Sequence, residues 1–136
     1  MIQLIETTDI SLIDSIVKDD DIWKKIANDG INKNQIPILS RDVLAMEVKA
    51  DVTIGLHIFT IEKDGVYFHP MILKPYRREY AMDAIKQGLA WFFENVGDFI
   101  MCEIPLSHKS TINLAKKVGF MPIDINNDKQ RMRLSV

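Results

Sequence analysis

The sequence holds a single cysteine, Cys102, among its 136 residues. One thiol excludes an internal disulfide framework and structural zinc of the multi-cysteine kind. It fits a reducing compartment, so a cytoplasmic setting is expected. Glycine and proline are sparse, at six and five, which excludes collagen-like and low-complexity chains. No apolar run approaches the roughly 18 residues of a membrane span, and the longest tracts are strand-sized. The opening MIQLIETTDI lacks a basic segment followed by a long apolar stretch, so no secretory signal is expected. A surplus of one charge is also missing: 17 basic residues face 19 acidic ones, a net −2. Proteins that wrap nucleic acid carry a basic excess, so no nucleic-acid partner is expected. What is present, 47% hydrophobic and 26% charged residues, is the mix of an ordinary globular protein. The length is that of one domain, assigned to residues 1–136.

Hydrophobic periodicity divides the chain into short elements. Residues 2–5 read as a strand. Thr7, Thr8 and Asp9 offer cap oxygens for a helix whose apolar face is Ile10, Ile13, Ile16 and Val17. The run Asp19-Asp20-Asp21 reads as the start of a second helix, because carboxylates complement the positive end of the helix dipole. A metal site would need carboxylates converging from elsewhere, and no metal is expected. Ile22, Trp23 and Ile26 form the inward stripe of that helix, Gly30 ends it, and the Pro37-containing stretch 31–40 is a connection. Strands follow at 43–48, 53–62 and 66–73. The second and third are joined at Lys63-Asp64-Gly65, where Asp-Gly accepts the backbone of a tight turn.

The period then changes. Ala81, Ile85, Leu89, Phe92, Phe93 and Val96 mark a long amphipathic helix over 78–96, with Gly97 at its exit. Residues 99–104 form a nearly continuous apolar strand, as expected of a central strand covered on both faces. Ser107 or Ser110 caps a helix that runs to Val118, with Ile112, Ala115 and Val118 inward and Gly119 at its end. Strands at 120–125 and 131–136 flank the turn Asn126-Asn127-Asp128. The order β-α-α-β-β-β-α-β-α-β-β specifies an α/β fold with a mixed, mostly antiparallel sheet flanked by helices. Trp23, Trp91, Phe92 and Phe93 read as core, and so does Cys102.

This order resembles the GCN5-related N-acetyltransferase (GNAT) superfamily over essentially the whole chain. Two segments carry the likeness. Leu73-Lys74-Pro75-Tyr76-Arg77-Arg78-Glu79-Tyr80-Ala81-Met82 is similar to the strand-loop-helix that binds the coenzyme A diphosphate in that family. His108-Lys109-Ser110-Thr111-Ile112-Asn113-Leu114-Ala115-Lys116-Lys117-Val118-Gly119-Phe120 is similar to its later helix with a terminal Gly-Phe. Arg77-Arg78 to Ala81, Trp91-Phe92-Phe93 and the final Gly-Phe together also look like small acetyltransferase-like proteins of tailed bacteriophages.

The resemblance implies acetyl-CoA as co-substrate. Ile72 and Leu73 would address the pantetheine. Lys74, Arg77, Arg78, Glu79, Tyr80, Ala81 and Met82 would surround the diphosphate, with His108 and Asn113 on the later helix. The sequence departs from the family pattern Arg/Gln-x-x-Gly-x-Gly/Ala. If Arg77 starts it, the small positions hold Tyr80 and Met82; if Arg78 starts it, they hold Ala81 and Asp83. An aspartate would repel a diphosphate, which favours the Arg77 register. His108 stands where the family often has asparagine, and Ala115 where many members have a tyrosine acid.

Acyl transfer to an amine needs a held thioester, a proton acceptor and a donor for the developing oxyanion. The expected cleft lies between the strands at 66–73 and 99–104. Glu103 and His69 are the candidate bases, with Glu47 and His57 behind them. Glu103 can instead pair with a neighbouring cation, and His69 can be a satisfied sheet histidine. The leading expectation is an acetyl-CoA-dependent N-acetyltransferase of an unidentified primary amine, a small molecule or a protein, pairing as a homodimer through sheet edges. The alternative is a GNAT-fold structural or interaction protein without catalysis, for example in phage particle assembly. The missing glycines and tyrosine favour the alternative; Arg77, Arg78 and the complete element order favour the enzyme.

Overall fold

Seven strands form one sheet in the order β1-β2-β3-β4-β5-β7-β6. The computed structural model describes residues 2–26 and 42–136. The strands are β1 (Gln3–Glu6), β2 (Val43–Lys49), β3 (Thr53–Glu62), β4 (Gly65–Ile72), β5 (Phe99–Pro105), β6 (Met121–Asn126) and β7 (Lys129–Ser135). The helices are α1 (Ile10–Val17), α2 (Asp20–Ile26), α3 (Lys74–Asn95) and α4 (Lys109–Val118). The element order is the one that the periodicity predicts. The expected end of α2 at Gly30 and the Pro37 connection lie outside the described residues, as does the side chain of Ile26.

Each side of the sheet is closed by a different pair of helices. Asp9 caps α1 by accepting a hydrogen bond from the Leu12 amide at 3.2 Å. Asp19 caps α2 through the amides of Asp21 and Ile22, at 3.1 and 3.2 Å. These helices lay Ile16, Val17 and Ile22 on Ala45, Leu56 and Met71. On the opposite side, α3 packs Ile85, Leu89 and Phe92 against Phe59, Phe68 and Ile100. Phe59 stacks on both Phe68 and Phe92, with centroids 5.0 and 5.9 Å away. Burying each such ring is worth about 1.5–3 kcal/mol, which anchors α3 to the sheet.

Several boundaries differ from expectation, and β7 begins at Lys129, two residues before the expected start. Helix α3 begins at Lys74, not Arg78, with Pro75 in its first turn. Proline there needs no amide partner and its fixed φ already suits a helix, so the helix forms four residues early. At its other end Val96 is not inward: it caps the helix and is 53% exposed, while Ala84 and Gly88 complete the buried stripe. Helix α4 is headed by His108, and neither serine caps it. The β6–β7 hairpin turns through Asn127 (φ 52°) and Asp128 (φ 61°). Those angles suit the two-residue turns that match strand twist.

Strands β4 and β5 are parallel neighbours that share one register point, Tyr67 with Met101. Beyond it, among the described residues, the β4 edge facing β5 has no strand partner. The sheet is therefore split along this seam, and the split positions the site.

Candidate active site

The seam opens into a cavity of about 160 Å³ lined by β4, β5, α3, α4 and Phe120. Alternation along the strands decides what faces it. Phe68, Cys102 and Ile104 point to the α3–α4 side with Leu114 and Ala115 of α4, and make an apolar wall. His69 and Glu103, one residue from those wall positions, flank the same cavity on adjacent strands. The two leading base candidates are thus brought to one opening. A second cavity of about 130 Å³ continues along β4 past Ile72 to Arg77 and Ala81, and shares Pro70, Ile85, Thr111 and Leu114 with the first.

His69 is half-buried, and its Nε2 shares a 3.1 Å hydrogen bond with the Thr60 hydroxyl. Burial, and then the charge of Lys129, lower it from the ordinary histidine value to about 4. It is therefore neutral near pH 7. Glu103 is also half-buried and lies 3.5 Å from the Lys129 ammonium. Lys129 thus acts on both candidates; it is absent from the sequence-based candidates, and alternation on β7 relative to Glu103 is the signal that points to it. Arg131, on the same face of β7, ion-pairs with Asp64 and, at 2.6 Å, with Asp124. It also donates to the Tyr67 hydroxyl at 3.2 Å. The Tyr67 hydroxyl, ahead of Arg131, holds Asp64 below the usual carboxylate range. This network fastens β4 to β6 and β7 beside the closed end of the seam. Cys102 is buried, and burial pushes its thiol up to about 12, so it is a wall residue and not a nucleophile.

The other candidates separate. His57 is fully buried on the α3 side, bonded through Nε2 to the Ala84 carbonyl at 2.8 Å, and lines neither cavity. Glu47 accepts a hydrogen bond from Thr53 on the neighbouring strand and also lines neither cavity. Both are removed from the site because their elements carry them away from the seam. His108, at the head of α4, lines the larger cavity, while Asn113 is exposed and lines neither. Ile72 lines the smaller one, and Leu73 caps α3.

The expected diphosphate loop is absent as a loop. Residues 78–82 lie inside α3, where their amides bond the preceding turn. Of the first amides of the helix, Pro75 has none and that of Tyr76 bonds the Leu73 carbonyl at 2.9 Å. The Arg77 side chain is turned back: its Nε donates to the Ile72 carbonyl at 2.9 Å and its guanidinium pairs with Asp21 of α2. Lys74, Arg78 and Glu79 are exposed, and Tyr80 and Met82 are half-buried. The Glu79 carboxylate raises the Tyr80 phenol, with Asp51 adding to it more weakly. Acidic charge thus stands where a diphosphate would lie. The seam fits an acyl-pantetheine arm; the head of α3 does not fit the diphosphate. Among the described residues no group of His, Cys, Asp and Glu is placed to hold a metal ion, and no helix is long and apolar enough to cross a membrane.

No protein-family model matches the sequence, and no curated protein matches it. Solved structures match its shape. A domain from Methanocaldococcus jannaschii superposes with a TM-score of 0.79 at 11% identity, over 100% of this chain and 99% of that one. Spermidine N-acetyltransferase from Vibrio cholerae, in complex with CoA and spermine, gives 0.76 at 16% identity, over 99% and 94%. The aminoglycoside acetyltransferase AAC(6')-Ib, in complex with coenzyme A, gives 0.78 at 10% identity, over 99% and 95%. At such identities the likeness establishes architecture, and the chain carries the mixed α/β fold of the GNAT N-acetyltransferases.

Proposed function

We propose that the protein is an N-acyltransferase that moves an acyl group, acetyl in the simplest case, from a coenzyme A thioester to a primary amine. The observation that carries this is the parted β4–β5 seam with an apolar wall on one side and His69 and Glu103 on the other. An extended arm carrying amides can lie along the unpartnered β4 edge as an added strand would. The thioester supplies an activated acyl carbon: a C–N bond forms there, the C–S bond breaks, and the proton lost by nitrogen balances the one gained by sulfur. The chain's part is to orient the arm, exclude water and move that proton. His69, held neutral, is a weak base that positions or relays. Glu103 is the proton acceptor, and Lys129, 3.5 Å away, orients its side chain. The amine approaches on the face where Glu103, Lys129 and Arg131 lie.

The single buried Cys102 supports a cytoplasmic setting. The exposed β6 edge, with Met121, Ile123 and Ile125 48–70% exposed, supports pairing of two copies. One observation favours a second reading, a GNAT-fold module without chemistry such as a component of a phage particle: the closed first turn of α3, with Arg77 committed to Asp21. The two are separated by incubating the protein with acetyl-CoA and a panel of primary amines while following thiol release. Release above background with at least one amine is expected. No release, together with no rise in melting temperature at millimolar thioester, overturns the enzyme.

A further inference from the structure

The two ends of the proposed donor meet opposite surfaces. Along the seam the β4 edge is unpartnered and the wall is apolar, which suits the extended amide chain and thioester of a pantetheine arm. At the head of α3, three features that would bind a diphosphate are missing together. Residues 78–82 are wound into the helix, so their amides are already used. The backbone there carries Tyr80 and Met82, whose side chains obstruct the close approach that small residues permit. The cation lining the smaller cavity, Arg77, is turned back by its Nε bond to Ile72 and its ion pair with Asp21, and Glu79 and Asp51 add negative charge around Tyr80. A dianionic diphosphate placed here meets carboxylates, and the cations beside it, Lys74 and Arg78, are solvent-exposed, where ion pairs contribute little.

We infer that the site reads only the acyl-pantetheine arm of its donor, so that the nucleotide end of coenzyme A adds no recognition and a nucleotide-free acyl-pantetheine thioester serves equally. The inference rests on the acyltransferase reading above. It makes a demand that a diphosphate-binding relative would fail, since there remote contacts supply binding energy to the reacting end.

The test uses the whole chain and three probes: coenzyme A, pantetheine and 3′,5′-ADP, each titrated by calorimetry. Pantetheine binding within about threefold of coenzyme A, with no displacement by 3′,5′-ADP, is the expected result. Coenzyme A binding more than about tenfold tighter than pantetheine, or displacement by 3′,5′-ADP, overturns the inference while leaving the acyltransferase reading standing. If neither coenzyme A nor pantetheine binds, the acyltransferase reading itself falls and takes the inference with it. Ala115→Trp, which fills the wall of the seam, locates the arm: a folded variant that still binds pantetheine with unchanged affinity also overturns the inference.

Discussion

His57 and His69 stand one step apart on the β3–β4 ladder, where His57 pairs with Pro70 and His69 with Ile58. Alternation sends them to opposite faces of the sheet, and both are lowered to about 4. The shared value hides different surroundings. His57 is sealed between β3 and α3: one ring nitrogen bonds Ala84, Nδ1 has no partner, and the Phe68 ring lies edge-on at 5.0 Å. His69 is only half-buried and looks across a seam toward charged β5 and β7 residues. A depressed pKa therefore marks burial on both faces but marks a candidate site on one of them alone. Geometry makes the distinction.

Acid probes the sealed face most strongly through His57, with His69, lowered to the same value, adding a slope of the same sign. Above pH 6.5 His57 is neutral folded or unfolded, and contributes no pH dependence. Below 6.5 the unfolded chain takes up a proton that folded His57 refuses until about pH 4. The unfolded state then binds more protons, so stability falls as pH falls through this window. At about 1.4 kcal/mol per unit the loss from His57 amounts to about 3 kcal/mol. Urea unfolding between pH 7 and pH 4 checks it, and His57→Gln removes that part of the slope. A slope unchanged in the variant breaks the proposed contrast.

The open face is tested by Glu103→Gln. Its turnover, measured as kcat/KM with an amine that the panel identifies, is expected to fall about 100-fold, worth about 2.7 kcal/mol of barrier. The ion pair with Lys129 is partly solvated, so folding stability should change by less than about 1 kcal/mol. Retained activity would remove Glu103 from the chemistry and leave it a strand carboxylate paired with a cation.

How much of this was readable in advance follows from which interactions are local. Asp9, the Asp19–Asp21 run and Gly119 act within a turn of themselves, so the element order was legible from spacing. The stripe of Ile85, Leu89 and Phe92 was legible for the same reason. The head of helix α3 is ambiguous in sequence because Pro75 suits a loop and a first helical turn equally well. The Arg77–Asp21 ion pair, 56 positions apart, accompanies the helical outcome and has no signal in the local sequence. His69 and Glu103 could be named from their strands. That Lys129 joins them, and that His57 and Asn113 do not, depended on the pairing of β5 with β7 and on how the helices face the sheet, which no local pattern encodes.

Crowding the sealed face is a smaller intervention. A Cβ at Gly88 would sit 2.8 Å from His57 Cδ2 and 3.2 Å from Phe68 Cζ. Both rings are held by the core and neither can step aside freely. Overpacking of this kind costs about 1–3 kcal/mol, offset by about 1 kcal/mol from replacing a mid-helix glycine. Gly88→Ala should therefore lose up to about 2 kcal/mol in urea unfolding, with a modest fall in kcat/KM, because the crowded Phe68 ring also lines the seam. Unchanged kcat/KM in the folded variant would mean that Phe68 keeps its place in the seam wall when its other side is crowded.

The mildest test works at the cover of the open face. Asp9 accepts the Leu12 amide at the start of α1, and α1 with α2 roofs Leu56 and Met71 beside the seam. Asp9→Ala leaves an exposed helix amide to water and should cost about 1 kcal/mol. Its diagnostic value lies in where that loss is felt. Hydrogen exchange in the variant should rise in α1 and α2, and protection of α3 should drop only by the global change in stability. The aromatic stack of Phe59, Phe68 and Phe92 holds α3 to the sheet without any contribution from α1. If α3 instead opens along with α1, the sheet does not insulate its two sides, and the different fates of His57 and His69 must come from their immediate neighbours alone.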